Sequence, residues 1–359
     1  MTDSGITPID DAPQHGPRPL PLFLDMLRSE TAASPERRAA ALAGLRAYQQ
    51  ADRGAARQLP AAAHHAGRAR LRDYGGSGRP VVFVPSLINP PFILDLAEDR
   101  SLLRWLAEQG VRPMLVDWGQ PDPTERDLDI AGHVERLLLP LIAALDEPPV
   151  LVGYCLGGTM ALAAACAAPV AGLALLAAPW RFGGFGEAAR AEIAALWRAA
   201  EPACRTLGLV PMEVLQAGFW KLDPARTVAK YEAFGKLDPD SETARNFIAL
   251  EDWANAGAPL TYAAGAQLFD FFDADAPGNG RWTVAGRTVD PAALACPAVD
   301  FVSTSDRIVP AASAARLPDT RRLGAGHVGM IVGGRARAQL WEPLALWLAA
   351  PANRDAPSL

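Results

Sequence analysis

Hydrophobic residues along this chain follow two patterns, short continuous runs and longer stretches with helical spacing. The short runs lie at 81–85, 113–117, 150–152, 172–177, 297–303 and 321–323. Runs of this length between turn residues are typical of buried strands. Helical spacing fills most of the sequence between them. Six strands with intervening helices predict an α/β fold with a mostly parallel sheet flanked by helices.

The rhythm changes at both ends and in the middle of the chain. Between 180 and 290 the pattern is helical, with hardly any strand and many aromatic residues. We therefore divide the sequence into an N-terminal arm with helices (1–70), the first part of the core (71–179), a helical insertion (180–290), the second part of the core (291–350) and a tail (351–359). His64 and His65 lie in an alanine-rich stretch that we interpret as a linker.

Composition excludes several classes of protein. Half of the residues are hydrophobic and the net charge is −6, which argues against a general nucleic-acid surface. The four cysteines lack paired spacing, so we expect neither a disulfide framework nor a zinc site, and a cytoplasmic location fits. The first residues do not resemble a signal peptide. The charge-free run 150–180 is interrupted by glycine and proline, which favours a buried βαβ unit over a membrane span.

One stretch inside that run has a chemical meaning, PVLVGYCLGGT at 149–159. It predicts a buried strand, a sharp turn at Cys155 and a helix of small residues, which is the pattern of a nucleophile elbow with cysteine in place of serine. Gly153 and Gly157 are expected where a Cβ would collide with backbone. Cys155 then lies at a helix N-terminus, which favours the thiolate. The Leu156 N–H is predicted to bind an oxyanion.

A cysteine nucleophile needs a base, and the base needs an orienting group. Of the five histidines, only His327 lies in a glycine-flanked loop after the last predicted strand. Asp306 follows the preceding strand, whereas its rival Asp300 lies within that strand. The chain order nucleophile, acid, histidine is that of α/β hydrolases. We therefore predict Cys155, Asp306 and His327 as a catalytic triad in an α/β-hydrolase fold, with the helical insertion as a cap.

A second oxyanion donor is expected in the loop after the strand 81–85, where ligands of such sheets are held. Ser86 and Leu87 are the candidates, and we choose the backbone of Leu87. Metal and phosphate-loop motifs are lacking, so we predict no metal and no cofactor. An acyl-cysteine is a thioester, and loading it from another thioester is nearly isoergic. Transfer from it to an alcohol is favourable, which points to an acyltransferase, although hydrolysis stays open.

These residues resemble the polyhydroxyalkanoate synthases, and in length and pattern the short class III catalytic subunit. The similar stretches are VPSLINPPFILDL at 84–96, DRSLLRWL at 99–106, VDWGQP at 116–121, GYCLGG at 153–158, VAGRTVD at 284–290 and DRIVP at 306–310, with Gly326-His327. The resemblance implies that Cys155 is acylated, that His327 is the base and that Asp306 is its partner. It departs from the family at Arg307, where histidine is usual, at Ser86 and in the cap.

The resemblance also implies a substrate, a product and partners. Units of 3-hydroxyacyl-CoA are joined into a polyester with release of CoA, which is a substrate here and not a cofactor. A second synthase subunit or a homodimer is the implied assembly, and the implied location is the cytoplasm at the surface of polyester granules. Three alternatives use the same triad: a polyester depolymerase, a thioesterase and an esterase similar to dienelactone hydrolases. A catalytically silent granule-binding protein is a further alternative, but binding alone needs no triad.

Overall fold

The computed structural model describes residues 15–53 and 58–350. The α-helices in these ranges are α1 Leu20–Glu30, α2 Pro35–Gln50, α3 Leu102–Glu108, α4 Ile130–His133, α5 Leu139–Ala143, α6 Leu156–Ala167, α7 Glu187–Leu207, α8 Met212–Lys221, α9 Pro224–Phe234, α10 Glu242–Asn255, α11 Tyr262–Ala274, α12 Gly329–Val332 and α13 Glu342–Leu348. The strands are β1 Ala62–Ala66, β2 Ala69–Asp73, β3 Pro80–Val84, β4 Asp95–Ala97, β5 Arg100–Ser101, β6 Arg112–Asp117, β7 Val150–Tyr154, β8 Gly172–Leu176, β9 Leu209–Val210, β10 Leu260–Thr261, β11 Thr283–Val284, β12 Arg287–Thr288, β13 Ala298–Ser303 and β14 Asp319–Leu323. The predicted tail (351–359) and residues 1–14 and 54–57 of the predicted N-terminal arm with helices lie outside the described residues.

The main sheet has eight strands in the order β1-β2-β6-β3-β7-β8-β13-β14. From β6 to β14 all neighbours are parallel, whereas β1 pairs antiparallel with β2, and β2 with β6. Strands β3, β7 and β8 are fully buried, as their unbroken apolar sequences require when helices cover both faces. The predicted mostly parallel sheet with flanking helices is confirmed.

Two strands of this sheet were missed by the sequence prediction. β1 and β2 lie within or at the end of the range assigned to the arm, and His64 and His65 belong to β1, so the linker interpretation was wrong. β1 is an edge strand whose exposure alternates, and its residues are alanine and histidine. It lacks the continuous apolar run by which the other strands were recognised, because only one of its faces is covered.

The chain divides into two compact units. One comprises β1 to α7, most of α8, and the chain from Gly257 onward, and it contains the sheet. The other comprises α1 and α2 together with Phe219–Ala256. In this second unit α2 and α9 approach so closely that a Cβ on Gly44 would lie 1.8 Å from the Tyr231 carbonyl oxygen. Its core includes Phe23 and Tyr48, whose rings both meet Tyr231 edge-on.

The predicted insertion at 180–290 is helical, with α7 to α11 and only two-residue strands. The middle of the insertion groups with the N-terminal helices and not with the sheet, so the predicted boundaries do not follow the two compact units. That the insertion caps Cys155 stays a prediction. Across the residues described, none of the helices combines the length and apolar character that crossing a membrane requires.

Candidate active site

Cys155 occupies the turn between β7 and α6 with a backbone φ of 56° and ψ of −133°. A positive φ is unfavourable for a residue with a Cβ, and such strain of about 1–3 kcal/mol is concentrated at functional sites. The turn is held because the Cys155 N–H donates to the Leu176 carbonyl at 3.0 Å and its carbonyl accepts from Gly158 at 2.8 Å. The predicted strand, sharp turn and helix are therefore present in the structure.

Glycine is required on both sides of this turn. A Cβ on Gly157 would lie 2.1 Å from the Val84 carbonyl oxygen, and one on Gly153 would lie 2.4 Å from the Cα of Gly158. Real Cβ atoms do not approach backbone so closely, so any larger residue displaces β3, β7 or α6. The collision predicted from the sequence at Gly153 and Gly157 is thus found in the structure.

His327 and Asp306 lie together after the last two strands of the sheet. The His327 Nδ1 and an Asp306 carboxylate oxygen are 2.6 Å apart, and the Asp306 side chain is fully buried. The other carboxylate oxygen accepts from the backbone N–H groups of Ile308 and Val309 at 2.7 and 2.9 Å. These two bonds fix the carboxylate, so that its remaining oxygen faces the imidazole. His327 Nδ1 is thereby the protonated ring nitrogen.

Cys155 interacts with the same imidazole, and Nε2 is the ring nitrogen that Asp306 leaves open. Burial by itself lowers the pKa of His327, but its interactions with Cys155 and with the Asp306 carboxylate raise it to about 10. At neutral pH the imidazolium form of His327 is therefore favoured. The structure brings Cys155, His327 and Asp306 together, and their action as a catalytic triad stays a prediction.

Three consecutive hydroxyl residues, Ser303 to Ser305, fasten the histidine loop to the end of β13. Thr304 Oγ1 donates to the Leu323 carbonyl at 3.0 Å, and Ser305 Oγ donates to the Gly324 carbonyl at 2.9 Å. Ser303 Oγ donates to the Ala325 carbonyl. Because the loops of Asp306 and His327 are tied to each other at these points, the separation of carboxylate and imidazole is fixed. Ser303 was predicted as the end of the strand 297–303, and no role was predicted for Thr304 or Ser305.

The two predicted oxyanion donors belong to adjacent segments. Leu156 is the first residue of α6, where a backbone N–H has no intrahelical acceptor. Val84 pairs with Gly153 in the sheet, so the loop that carries Ser86 and Leu87 begins beside the elbow. Ser86 Oγ accepts from the Ile88 N–H at 3.1 Å and turns this loop. The arrangement suits an acyl-transfer site that stabilises an oxyanion with backbone N–H groups.

Comparison with known proteins assigns the fold. Residues 81–339 match the model of a family described as "Alpha/beta hydrolase family". The chain belongs to the alpha/beta hydrolase family. The match includes Cys155, Asp306 and His327. The fold predicted from the sequence is confirmed.

Among curated proteins, this alpha/beta hydrolase is similar to poly(3-hydroxyalkanoate) polymerase subunits named PhaC. The PhaC of Haloferax mediterranei is 28% identical over 287 residues, which are 75% of this chain and 58% of that protein. The PhaC of Allochromatium vinosum is 28% identical over 289 residues, which are 75% of this chain and 80% of that protein. This chain thus spans less than two thirds of the Haloferax protein. The resemblance to polyhydroxyalkanoate synthases is confirmed.

A solved structure with a similar fold is the monoacylglycerol lipase of Paleococcus ferrophilus. It is 16% identical, with a TM-score of 0.49, and the match covers 78% of this chain and 98% of that one.

Trp118 is a feature of this alpha/beta hydrolase that sequence reasoning did not assign to the site. Its indole N–H donates to the Pro85 carbonyl at 3.0 Å, one residue before the Ser86-Leu87 loop. His133 meets the Trp118 ring edge-on, and its Nε2 lies 2.7 Å from an Arg68 guanidinium nitrogen. Burial lowers the pKa of His133 to about 4, so this histidine is neutral. It packs against Trp118, which in turn holds the start of the Ser86-Leu87 loop.

Asp300, the rival acid, is fully buried within β13 of this alpha/beta hydrolase and pairs in register with Leu175 and Thr320. Burial raises its pKa to about 7, and neither of its carboxylate oxygens has a hydrogen-bond partner among the described residues. His327 is held by Asp306 and not by Asp300.

Replacing Asp300 with asparagine is expected to make stability less dependent on pH. The unfolded chain loses this proton near pH 4 and the folded chain near about pH 7, so the folded wild type binds the proton more tightly. Stability is therefore full at low pH and falls by up to about 4 kcal/mol as the pH rises through that window. Urea unfolding at about pH 5 and about pH 8 should show the loss in the wild type and a much smaller one in Asp300→Asn. Equal losses would contradict this account.

Proposed function

We propose that this alpha/beta hydrolase is a polyhydroxyalkanoate polymerase, an acyltransferase that joins 3-hydroxyacyl units from CoA thioesters through an acyl-Cys155 intermediate. The observation that carries the proposal is a cysteine at the elbow that interacts with an Asp306-bound His327, in a chain similar to poly(3-hydroxyalkanoate) polymerase subunits. A cysteine acyl-enzyme is itself a thioester, so its loading from CoA costs little and its transfer to a hydroxyl is favourable.

Loading begins when His327 takes the proton of the Cys155 thiol and leaves a thiolate. Its sulfur attacks the thioester carbonyl of 3-hydroxyacyl-CoA, and the oxyanion that forms accepts hydrogen bonds from the N–H groups of Leu156 and Leu87. The tetrahedral intermediate collapses, the bond between the carbonyl carbon and the CoA sulfur breaks, and the His327 imidazolium gives its proton to that sulfur. Asp306 keeps the imidazole in the required tautomer throughout.

Elongation uses the same groups in a second acyl transfer. The 3-hydroxyl of an incoming 3-hydroxyacyl-CoA gives its proton to neutral His327 as its oxygen attacks the acyl-Cys155 carbonyl. An ester bond forms, the bond to the Cys155 sulfur breaks, and the thiolate is restored beside the imidazolium. The lengthened chain, still a CoA thioester, then reloads Cys155 with release of CoA.

Several features of the proposal follow from the resemblance alone. It requires no metal and no cofactor, since CoA enters as part of the substrate and leaves as a product. The relatives are named as subunits, which supports a second synthase subunit or a second copy of this chain as the partner. Work at the surface of polyester granules in the cytoplasm is proposed on the same ground.

The test is the fate of the acyl group. Purified protein is incubated with 3-hydroxybutyryl-CoA, CoA release is followed by its free thiol, and the products are separated by mass. We expect CoA release together with ester-linked oligomers of increasing length. Release that yields only free 3-hydroxybutyrate would replace the polymerase with a thioesterase. Oligomer lost on incubation without CoA thioester would instead indicate a depolymerase.

A further inference from the structure

Tyr154, the residue before Cys155, lies directly against the catalytic candidate His327. The two rings are stacked, with centroids 5.0 Å apart and planes inclined by 26°. The Tyr154 hydroxyl donates to the His327 backbone carbonyl at 3.3 Å. Only 3% of Tyr154 is exposed, and burial, together with the nearby Cys155 and Asp306 charges, raises the pKa of its phenol. The phenol therefore stays protonated and keeps this donor.

The strand geometry explains this placement. Successive side chains of a strand alternate between the two faces of the sheet. A Cβ on Gly153 would point into α6, so Tyr154 projects to the opposite face, on which it meets His327. Tyr154 and Cys155 are neighbours in sequence, and each contacts the imidazole through a different part of the ring: Cys155 at a nitrogen and Tyr154 at the face.

An imidazolium buried at this position needs compensation. His327 is only 8% exposed, and burial disfavours its charged form. The titratable groups that act on it among the described residues are Cys155 from the start of α6 and Asp306 from the loop after β13. Both lie at the edge of the ring. The face is covered by Tyr154, and the negative face of an aromatic ring attracts a cation within about 6 Å of its centroid.

We propose that Tyr154 is a positioning residue for His327: its ring stabilises the imidazolium through the stacked face, and its hydroxyl holds the histidine backbone so that the face contact is kept. This inference rests on the proposed function, since it concerns the thiolate–imidazolium pair at Cys155. It predicts that removal of the aromatic face narrows the pH range in which the pair exists. The thiolate then forms at higher pH, and the imidazolium is lost at lower pH.

The experiment measures the rate of Cys155 alkylation by iodoacetamide as a function of pH, with the labelled peptide quantified by mass so that the other three cysteines do not contribute. The matched pair is Tyr154→Phe, which keeps the ring and removes the hydroxyl, and Tyr154→Leu, which removes both. We expect the thiolate onset of Tyr154→Phe to stay within about 0.3 pH unit of wild type. For Tyr154→Leu we expect a rise of about one pH unit.

A third variant removes the electrostatic property without changing the shape. A trifluorinated phenylalanine in place of Tyr154 withdraws electron density from the ring face and fills the same space as phenylalanine. The pH at which its Cys155 thiolate forms should lie between the values of Tyr154→Phe and Tyr154→Leu. The test therefore stands even if the leucine variant does not fold. Titration of the His327 ring by NMR, with labelled histidine, should show a fall in its pKa in the same order.

Two results have separate meanings. If the wild-type Cys155 is alkylated only above about pH 8, as an ordinary thiol is, no resting thiolate–imidazolium pair exists and this inference fails, whereas the acyl-Cys155 proposal is tested separately by the acyl adduct. If the wild type reacts at low pH and the trifluorinated and leucine variants keep its profile, Cys155 stands and the role of the Tyr154 face is overturned.

Discussion

Replacing Cys155 with alanine is expected to reduce CoA release from 3-hydroxybutyryl-CoA on the order of 10⁴-fold or more, to the background of the assay. Alanine leaves the elbow, the oxyanion donors and the His327–Asp306 pair in place, but no atom remains to accept the acyl group. The covalent intermediate should vanish with the activity. Intact-protein mass spectrometry should detect a 3-hydroxybutyryl adduct on the wild type and none on Cys155→Ala.

The matched control is Cys166→Ala, which removes a thiol from the other end of the same helix. Cys166 lies in the last turn of α6, and burial raises the pKa of its thiol, so it has no thiolate near neutral pH. We expect this variant to keep wild-type activity and the acyl adduct. Cys155→Ala keeps a Cβ at a backbone φ of 56°, so its melting temperature should change little. Activity within tenfold of wild type in Cys155→Ala would exclude the acyl-Cys155 route.

Cys155→Ser separates the contribution of the thiol to catalysis from the contribution of the groups around it. The serine hydroxyl does not ionise near neutral pH, so His327 must take its proton during the attack. The acyl-serine is an oxygen ester, which removes the thermodynamic advantage of a thioester in the following transfer. We expect a loss of about 10²–10³-fold, smaller than that of alanine. The remaining products should be enriched in free hydroxy acid over oligomer.

Much of the site could be predicted because its information is local. The apolar run of β7, the two glycines and the small residues of α6 lie within twenty residues of one another, and their spacing alone requires a sharp turn at Cys155. Asp306 and His327 were recognised because each follows a strand at the carboxyl end, where residues from distant parts of a parallel sheet meet. In the structure these expectations correspond to a 2.6 Å contact between Asp306 and His327.

The features that escaped prediction depend on contacts between distant residues or on weak local patterns. Tyr154 and His327 are 173 positions apart, and nothing in the spacing indicates that their rings stack. β1 is an antiparallel edge strand with little apolar content, so it has no strand pattern. The grouping of α1 and α2 with Phe219–Ala256 rests on packing such as that of Phe23 on Trp220, which no sequence period encodes.

Asp306→Asn is expected to lower acyl transfer on the order of 10³–10⁴-fold while leaving the fold intact. Asparagine has the shape of aspartate, and its carbonyl can still accept from Ile308 and Val309. Its NH₂ group then faces His327 Nδ1, which must become the unprotonated nitrogen. The proton moves to Nε2, where it blocks the base from receiving the Cys155 proton, and the charge that stabilises the imidazolium is gone.

Asp300→Asn is the matched control, because it makes the same chemical change six residues earlier. Asp300 lies within β13, and Asp306 lies in the loop that follows this strand. His327 is held by Asp306 and not by Asp300, so kcat of Asp300→Asn should remain within about threefold of wild type, while its stability should depend less on pH than that of wild type. The two variants also differ in the alkylation profile of Cys155: Asp306→Asn should lose its low-pH thiolate, since the partner imidazolium is no longer supported, and Asp300→Asn should keep it. Equal loss of activity in both variants would mean that the loss comes from disturbed packing of β13 and not from the orienting role of Asp306. Loss confined to Asp300→Asn would transfer the orienting role to the rival acid.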